Sequence, residues 1–284
     1  MGRPYQVFDV FTREPLTGNP LAVVFEADDL DGDRCQAIAK EFNLSETIFL
    51  GTPRQGAFHA RIFTPAHEMP FAGHPTVGGA IAAAARYDLS ELTFELPAGP
   101  AVCQISDGAA TIVAPKVPEC LPGVPSDEAL AALLGVETGA IGCGALRPTR
   151  ATSGPQWTIV PVASLEVLAG LSLDTARLPA LGEGFENVYI ITKKLDGAFQ
   201  CRMFAPSAGV PEDPATGSAA VAFTALVVAA EAPGDGAHTL NIVQGVEMGR
   251  RSEIVVAADV SGGAITKVRL SGAAVKVAEG TLFA

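Results

Sequence analysis

The second half of the chain repeats the first in order, and that repetition limits the fold more than any composition figure does. Arg61-Ile62-Phe63-Thr64-Pro65 returns as Arg202-Met203-Phe204-Ala205-Pro206, 141 residues later. His74-Pro75-Thr76-Val77-Gly78-Gly79-Ala80 matches Asp213-Pro214-Ala215-Thr216-Gly217-Ser218-Ala219 at a spacing of 139. Two weaker echoes keep the order: Ser45-Glu46-Thr47-Ile48-Phe49-Leu50 lies against Phe185-Glu186-Asn187-Val188-Tyr189-Ile190 at 140 residues, and Thr93-Phe94-Glu95-Leu96-Pro97-Ala98-Gly99 against Thr239-Leu240-Asn241-Ile242-Val243-Gln244-Gly245 at 146. Generic strand and turn composition could yield any one of them. Together they point to a duplication. The 284 residues are then two similar domains rather than one large one. The expected division is residues 1–118, with the C-terminal 274–284, and residues 119–273.

Each half reads mainly as strands broken by turns. In the first half, alternating β-branched and aromatic residues bounded by Gly, Pro and Asp predict strands over residues 5–11, 21–25, 47–50, 58–63, 92–96 and 111–114. Residues 31–42 carry Cys35, Ile38, Ala39 and Phe42 at helical spacing, the stripe of a surface helix, and residues 126–134 and 165–171 look similar. Residues 76–85 and 215–230 differ, being apolar or small on every face. A helix of that kind must be surrounded by protein, which in a strand-rich half means a sheet curled around it. Pro75 and Pro214 suit the first helical turn, which puts His74 and Asp213 at the N-caps. Asp is a standard cap and His a poor one, so capping explains Asp213 but not His74.

The net charge of −12 argues against a nucleic-acid or anionic-membrane partner. The longest apolar run, residues 219–230, is shorter than the roughly 20 residues that cross a bilayer. The first residues read as a strand rather than a signal peptide, so the expected compartment is the cytoplasm. Five widely spaced cysteines form no C-x-x-C pair, and His59, His67 and His238 have no partner at ligand spacing, so neither a disulfide framework nor a metal site is expected. No dinucleotide fingerprint or phosphate loop occurs, and no cofactor is expected.

A buried helix presents backbone N–H donors and a partial positive charge at its start, which suits a small carboxylate. Gly73, Gly78 and Gly79 in one half, and Gly217 and Ser218 in the other, would let a ligand approach the backbone closely. Ser218 is equally well read as a small residue for helix packing.

The blocks Leu16-Thr17-Gly18-Asn19-Pro20-Leu21-Ala22-Val23-Val24, Asn43-Leu44-Ser45-Glu46-Thr47, Phe71-Ala72-Gly73-His74-Pro75-Thr76, Glu212-Asp213-Pro214-Ala215-Thr216-Gly217-Ser218-Ala219 and Gln244-Gly245-Val246-Glu247-Met248-Gly249-Arg250 resemble those of the phenazine-biosynthesis PhzF-like family, in family order over nearly the whole chain. The resemblance implies an α+β fold of the diaminopimelate epimerase type. That fold has two pseudo-symmetric domains, each a curled, mostly antiparallel sheet or barrel around a central buried helix, with the active site in the cleft between them. It implies a cofactor-independent isomerase that moves a proton between carbons of a small cyclic carboxylic acid, working as a homodimer.

By the same resemblance Glu46 is the general acid/base and His74 and Asp213 are its catalytic companions. Ser45, Gly73, Gly217 and Ser218 bind substrate. From bare sequence Glu46 is an ordinary polar residue at a strand start, and Glu186, its repeat partner, is structural. Related epimerases of this fold use a thiol at each helix tip, where this chain has Ala72 and Ala215, so cysteine-dependent chemistry is disfavoured. The alternative reading is a non-catalytic protein that binds or senses a small carboxylate.

Overall fold

The computed structural model describes residues 2–182 and 184–284. The chain divides into two compact units, residues 1–115 with 270–284, and residues 116–269.

In unit 1 the strands are β1 (Arg3–Val10), β2 (Asn19–Phe25), β3 (Glu46–Leu50), β4 (Ala57–Phe63), β5 (Glu68–Met69), β6 (Glu91–Leu96), β7 (Gly99–Ser106) and β8 (Ala109–Val113), with helices α1 (Gly32–Phe42) and α2 (Gly73–Tyr87). Unit 2 contains β9 (Glu119–Leu121), α3 (Asp127–Leu134), β10 (Thr149–Thr152), β11 (Gln156–Pro161), α4 (Leu165–Gly170), β12 (Val188–Lys193), β13 (Phe199–Ala205), β14 (Val210–Asp213), α5 (Gly217–Glu231), β15 (Gly236–Gln244) and β16 (Ser252–Ser261). A last strand, β17 (Ala264–Leu282), begins in unit 2 and ends in unit 1.

Unit 1 closes into a barrel. Its strands pair in the cycle β17, β1, β2, β3, β4, β6, β7, β8 and back to β17, antiparallel except for the parallel pairs β2–β3 and β4–β6 among the registers described. Inside lies α2, buried continuously from Gly73 to Ala84. Small residues make this possible. A Cβ on Gly78 would stand 2.5 Å from Val10 Cγ2 and 2.6 Å from Leu21 Cδ2, and one on Gly79 would stand 2.9 Å from Ile48 Cδ1. These two glycines therefore bring the helix against β1, β2 and β3. The expectation that they open the helix tip to a ligand is corrected: both face the barrel wall.

Unit 2 repeats the pattern. The pairs β10–β11, β12–β13, β13–β14 and β15–β16 are antiparallel, and β11–β12 and β13–β15 are parallel, matching β1–β2, β3–β4, β4–β5, β6–β7, β2–β3 and β4–β6 in sense. Its central helix α5 buries Ala219 through Val227. In both units the amphipathic helices lie outside. Asp31 caps α1, which rests on Val24, Phe49 and Phe63, while Ser126 caps α3, which rests with α4 on Val160, Val188 and Ile190.

The duplication is thus real, but its register shifts. Thr47↔Phe63 and Val188↔Phe204 are equivalent pairs 141 residues apart. The central helices start at Gly73 and Gly217, 144 apart, because the paired residues Met203 and Asp213 of the β13–β14 hairpin are ten apart, three more than Ile62 and Met69 of β4–β5. Ile62 pairs with Met69 and Met203 with Asp213, so Asp213 corresponds to Met69, and His74 corresponds to Ser218.

The expected N-caps are corrected with it. The caps are Ala72 and Thr216; His74 is the second residue of α2, and Asp213 ends β14 four residues before α5. The physical reason is that proline is tolerated at any of the first helical positions, whose N–H groups have no partner within the helix. Pro75 takes the third position and Pro214 lies outside the helix altogether.

Candidate functional site

In unit 1 the site grows from the ends of two neighbouring strands and the first turn of α2. Glu46 opens β3 opposite Leu21 of β2, and Asn19 begins β2. The His74 ring, 4% exposed, points at both: Nδ1 is 2.8 Å from Glu46 Oε2, and Nε2 is 3.2 Å from the Asn19 carbonyl oxygen. A carbonyl oxygen only accepts, so this contact puts a hydrogen on Nε2. Glu46, its side chain 19% exposed, is therefore hydrogen-bonded to a buried imidazole.

Asn19 serves this pair twice. Its carbonyl holds His74, and its side-chain Oδ1 accepts from Ser45 Oγ at 3.0 Å, the residue just before Glu46. Asn19 stands within the block of residues 16–24, where no task was expected of it. The available signal was a polar residue beginning a strand that is otherwise apolar.

In unit 2 a polar corner before α5 is built on Asp213. Its Oδ2 accepts from the Thr216 hydroxyl, and its carbonyl oxygen accepts from Gln244 Nε2 at 2.8 Å. Gln244, 0% exposed, also donates to Thr216 Oγ1 at 3.0 Å and accepts from the Thr216 backbone N–H at 3.2 Å. Neither Thr216 nor Ala72 gives its helix a side-chain cap. Gly217 and Ser218 form the first turn of α5; Gly217 is buried, and the half-buried Ser218 accepts from Ser153 Oγ at 2.8 Å through its carbonyl. Gly73 is buried at the equivalent place in α2. The structure thus joins Glu46, His74 and Ser45 through Asn19 in unit 1, and Asp213 to the first turn of α5 through Thr216 in unit 2. Thr216 and Gln244 also escaped the sequence reading.

Unit 2 further carries two adjoining depressions of about 570 Å³ and 500 Å³ that share Glu186. None of the candidate residues lines either. Among the described residues no cluster of His, Cys, Asp and Glu could hold a metal ion, and no helix is long and apolar enough to cross a membrane. All five cysteines are free. Burial pushes the Cys35 thiol up to about 11 and the Cys103 thiol up to about 12, and raises Cys201 as well. Such thiols are not poised nucleophiles.

Comparison with known proteins gives the following. The family described as phenazine biosynthesis-like protein matches residues 8–280. An uncharacterized isomerase of Mesorhizobium japonicum is 42% identical over 304 aligned positions, covering 99% of each chain. The trans-2,3-dihydro-3-hydroxyanthranilate isomerase of Pseudomonas aeruginosa is 35% identical, with 98% of this chain and 99% of that one covered. Among solved structures, the PhzF-family phenazine biosynthesis protein of Bacillus anthracis superposes with a TM-score of 0.90 at 26% identity over 100% of both chains. A hydroxyproline epimerase from Agrobacterium vitis gives 0.61 at 14% identity over 99% of this chain and 91% of its own, a likeness of fold alone. The expected α+β architecture of diaminopimelate epimerase type, with its closed barrel and few helices, is borne out.

Proposed function

The chain belongs to the phenazine biosynthesis-like family, and on that premise we propose that it is a cofactor-independent isomerase that moves a proton between carbons of a small cyclic carboxylic acid, with Glu46 as the acid/base. Its isomerase relatives support the reaction class. The observation that carries the finer reading is the 2.8 Å hydrogen bond between Glu46 and a buried His74 whose Nε2 is engaged by Asn19.

Carbon-to-carbon proton transfer needs a group that takes a proton at one carbon and returns it at another. The Glu46 carboxylate is such a group. While it carries the substrate's proton, its contact with His74 Nδ1 holds the carboxyl in place for the proton's return. In this reading Asp213 accepts from polar substituents of the substrate. Backbone N–H groups at a helix start, Gly73 or Gly217, suit its carboxylate, in keeping with the anion preference of helix N-termini, and Ser45 and Ser218 offer hydroxyls. The positions at the helix starts, Ala72 and Thr216, carry no sulfur, which supports acid/base rather than thiol chemistry. The reading also takes the protein as a cytoplasmic homodimer, as its family resemblance implies.

The test is turnover of trans-2,3-dihydro-3-hydroxyanthranilate in D2O. Wild type is expected to isomerise it with deuterium entering at carbon. Glu46→Gln is expected to lose roughly 10²- to 10⁴-fold in kcat while still binding ligand. Full turnover by Glu46→Gln would overturn the assignment. Tight binding by wild type without any chemical change across a panel of cyclic carboxylates would favour a binding or sensing protein instead.

A further inference from the structure

The contacts of Gln244 have a direction. Its side-chain amide lies between the Asp213 carbonyl oxygen, which can only accept, and the Thr216 backbone N–H, which can only donate. Those two partners decide which end of the amide is nitrogen. The same nitrogen also donates to Thr216 Oγ1, which turns the hydroxyl hydrogen away from Gln244, and that hydrogen is given to Asp213 Oδ2. The result is a one-way relay from amide N–H to hydroxyl to carboxylate.

The neighbouring backbone presses on the same segment. Gly245 has φ +75°, and a Cβ there would lie 2.8 Å from the Pro214 carbonyl oxygen and 3.0 Å from Pro214 Cα. The end of β15 is thereby seated against the link between β14 and α5.

We infer that Gln244 is a positioning residue: by setting the direction of the Thr216 hydroxyl it holds the Asp213 carboxyl as an acceptor in one orientation. The inference rests on the reading of Asp213 as a substrate-binding group, and it adds the residue that prepares it. A buried amide that merely satisfied its neighbours would be indifferent to the direction of the Thr216 hydroxyl. A positioning amide is not, because reversing that hydroxyl would take the donor away from Asp213.

Three variants test this. Thr216→Val removes the relay and keeps the shape; kcat/KM is expected to fall roughly tenfold to a hundredfold, the range of a lost hydrogen bond to a charged group. Thr216→Ser keeps the hydroxyl and should stay within about threefold of wild type. Gln244→Glu keeps the length but gives a carboxyl that can supply one donor when protonated and none when ionised. Its kcat/KM should fall as pH rises across a range where wild type shows no such fall. A loss at position 244 that is independent of pH, or wild-type kcat/KM in Thr216→Val, would overturn the inference.

If wild type does not turn over trans-2,3-dihydro-3-hydroxyanthranilate, the functional reading fails for that substrate and the relay is read without it. The ¹³C resonance of the Asp213 carboxyl is followed against pH, and its titration should move to higher pH in Thr216→Val. Coincident titrations in wild type and Thr216→Val would overturn the inference whatever the enzyme's substrate.

Discussion

Replacing Gly78 by alanine separates two tasks for the glycines of α2, packing and ligand access. In a helix interior the substitution by itself stabilises by about 1 kcal/mol, because glycine is the more costly residue to order. Here the new methyl would arrive 2.5 Å from Val10 Cγ2 and 2.6 Å from Leu21 Cδ2, both on fully buried side chains. Carbon contacts settle near 3.5–4.0 Å, so about 1 Å of movement is needed on two sides. Leu21 can turn its end, but Val10 is stiff at χ1 and has little room to yield. Overpacking of this kind costs about 1–3 kcal/mol, and two simultaneous clashes put it toward the upper end. The net expectation is destabilisation by about 1–2 kcal/mol, a Tm lower by about 2–8 °C. Urea and thermal unfolding measure it, and Val10→Ala supplies the control. With the valine methyls removed, Gly78→Ala should cost less, giving a favourable coupling of about 1 kcal/mol in a double-mutant cycle. Ligand affinity should not change. A stabilised Gly78→Ala protein would refute the packing argument, and unchanged stability with weakened binding would restore the glycine to the ligand.

Two further outcomes follow from local chemistry. Alkylation near neutral pH should modify the exposed Cys120 first and leave Cys35, Cys103 and Cys201 unreacted in the folded protein, with activity retained; inactivation that tracks modification would reinstate a thiol mechanism. Glu68, gripped by Arg61 Nε and Nη2 at 2.7 Å each, has its carboxyl held below the usual range by that hydrogen bonding. A lowered folded-state value adds stability above the unfolded value and loses it as the pH falls through the folded one. Glu68→Gln should therefore cost under about 1 kcal/mol at pH 7, most of the pair being screened, and the difference from wild type should close below about pH 4, as unfolding curves at several pH values would reveal.

What could be read in the sequence is what depends on local pattern. The stripe through Cys35, Ile38 and Ala39 and the all-apolar segments became a surface helix and two central ones, since burial on one face or every face leaves its mark on composition. Strand β7 was missed because apolar Val102 on its outer face and small Ala101 and Cys103 on its inner face blur the alternation. The clamp of Gln244 on Thr216 spans 28 residues, and the hold of Asn19 on His74 spans 55. No periodicity records contacts between residues so far apart, so the partners of the candidate residues had to come from the fold.

The shifted repeat bears on the chemistry as well as the alignment. A two-base mechanism on duplicated domains is most simply made by keeping the same acid or base at equivalent positions of both halves. The equivalent positions here are Ala72 and Thr216 at the helix caps, His74 and Ser218 in the first turns, and Met69 and Asp213 at the strand ends. Each pair is chemically unlike. Unit 1 has an imidazole hydrogen-bonded to a carboxyl, and unit 2 a carboxyl that accepts from a hydroxyl, itself an acceptor from an amide. That asymmetry fits the proposed single group that both removes and returns the proton: Glu46 has a buried hydrogen-bond partner, whereas the Oδ2 of Asp213 is engaged by Thr216, a donor whose direction Gln244 is proposed to set.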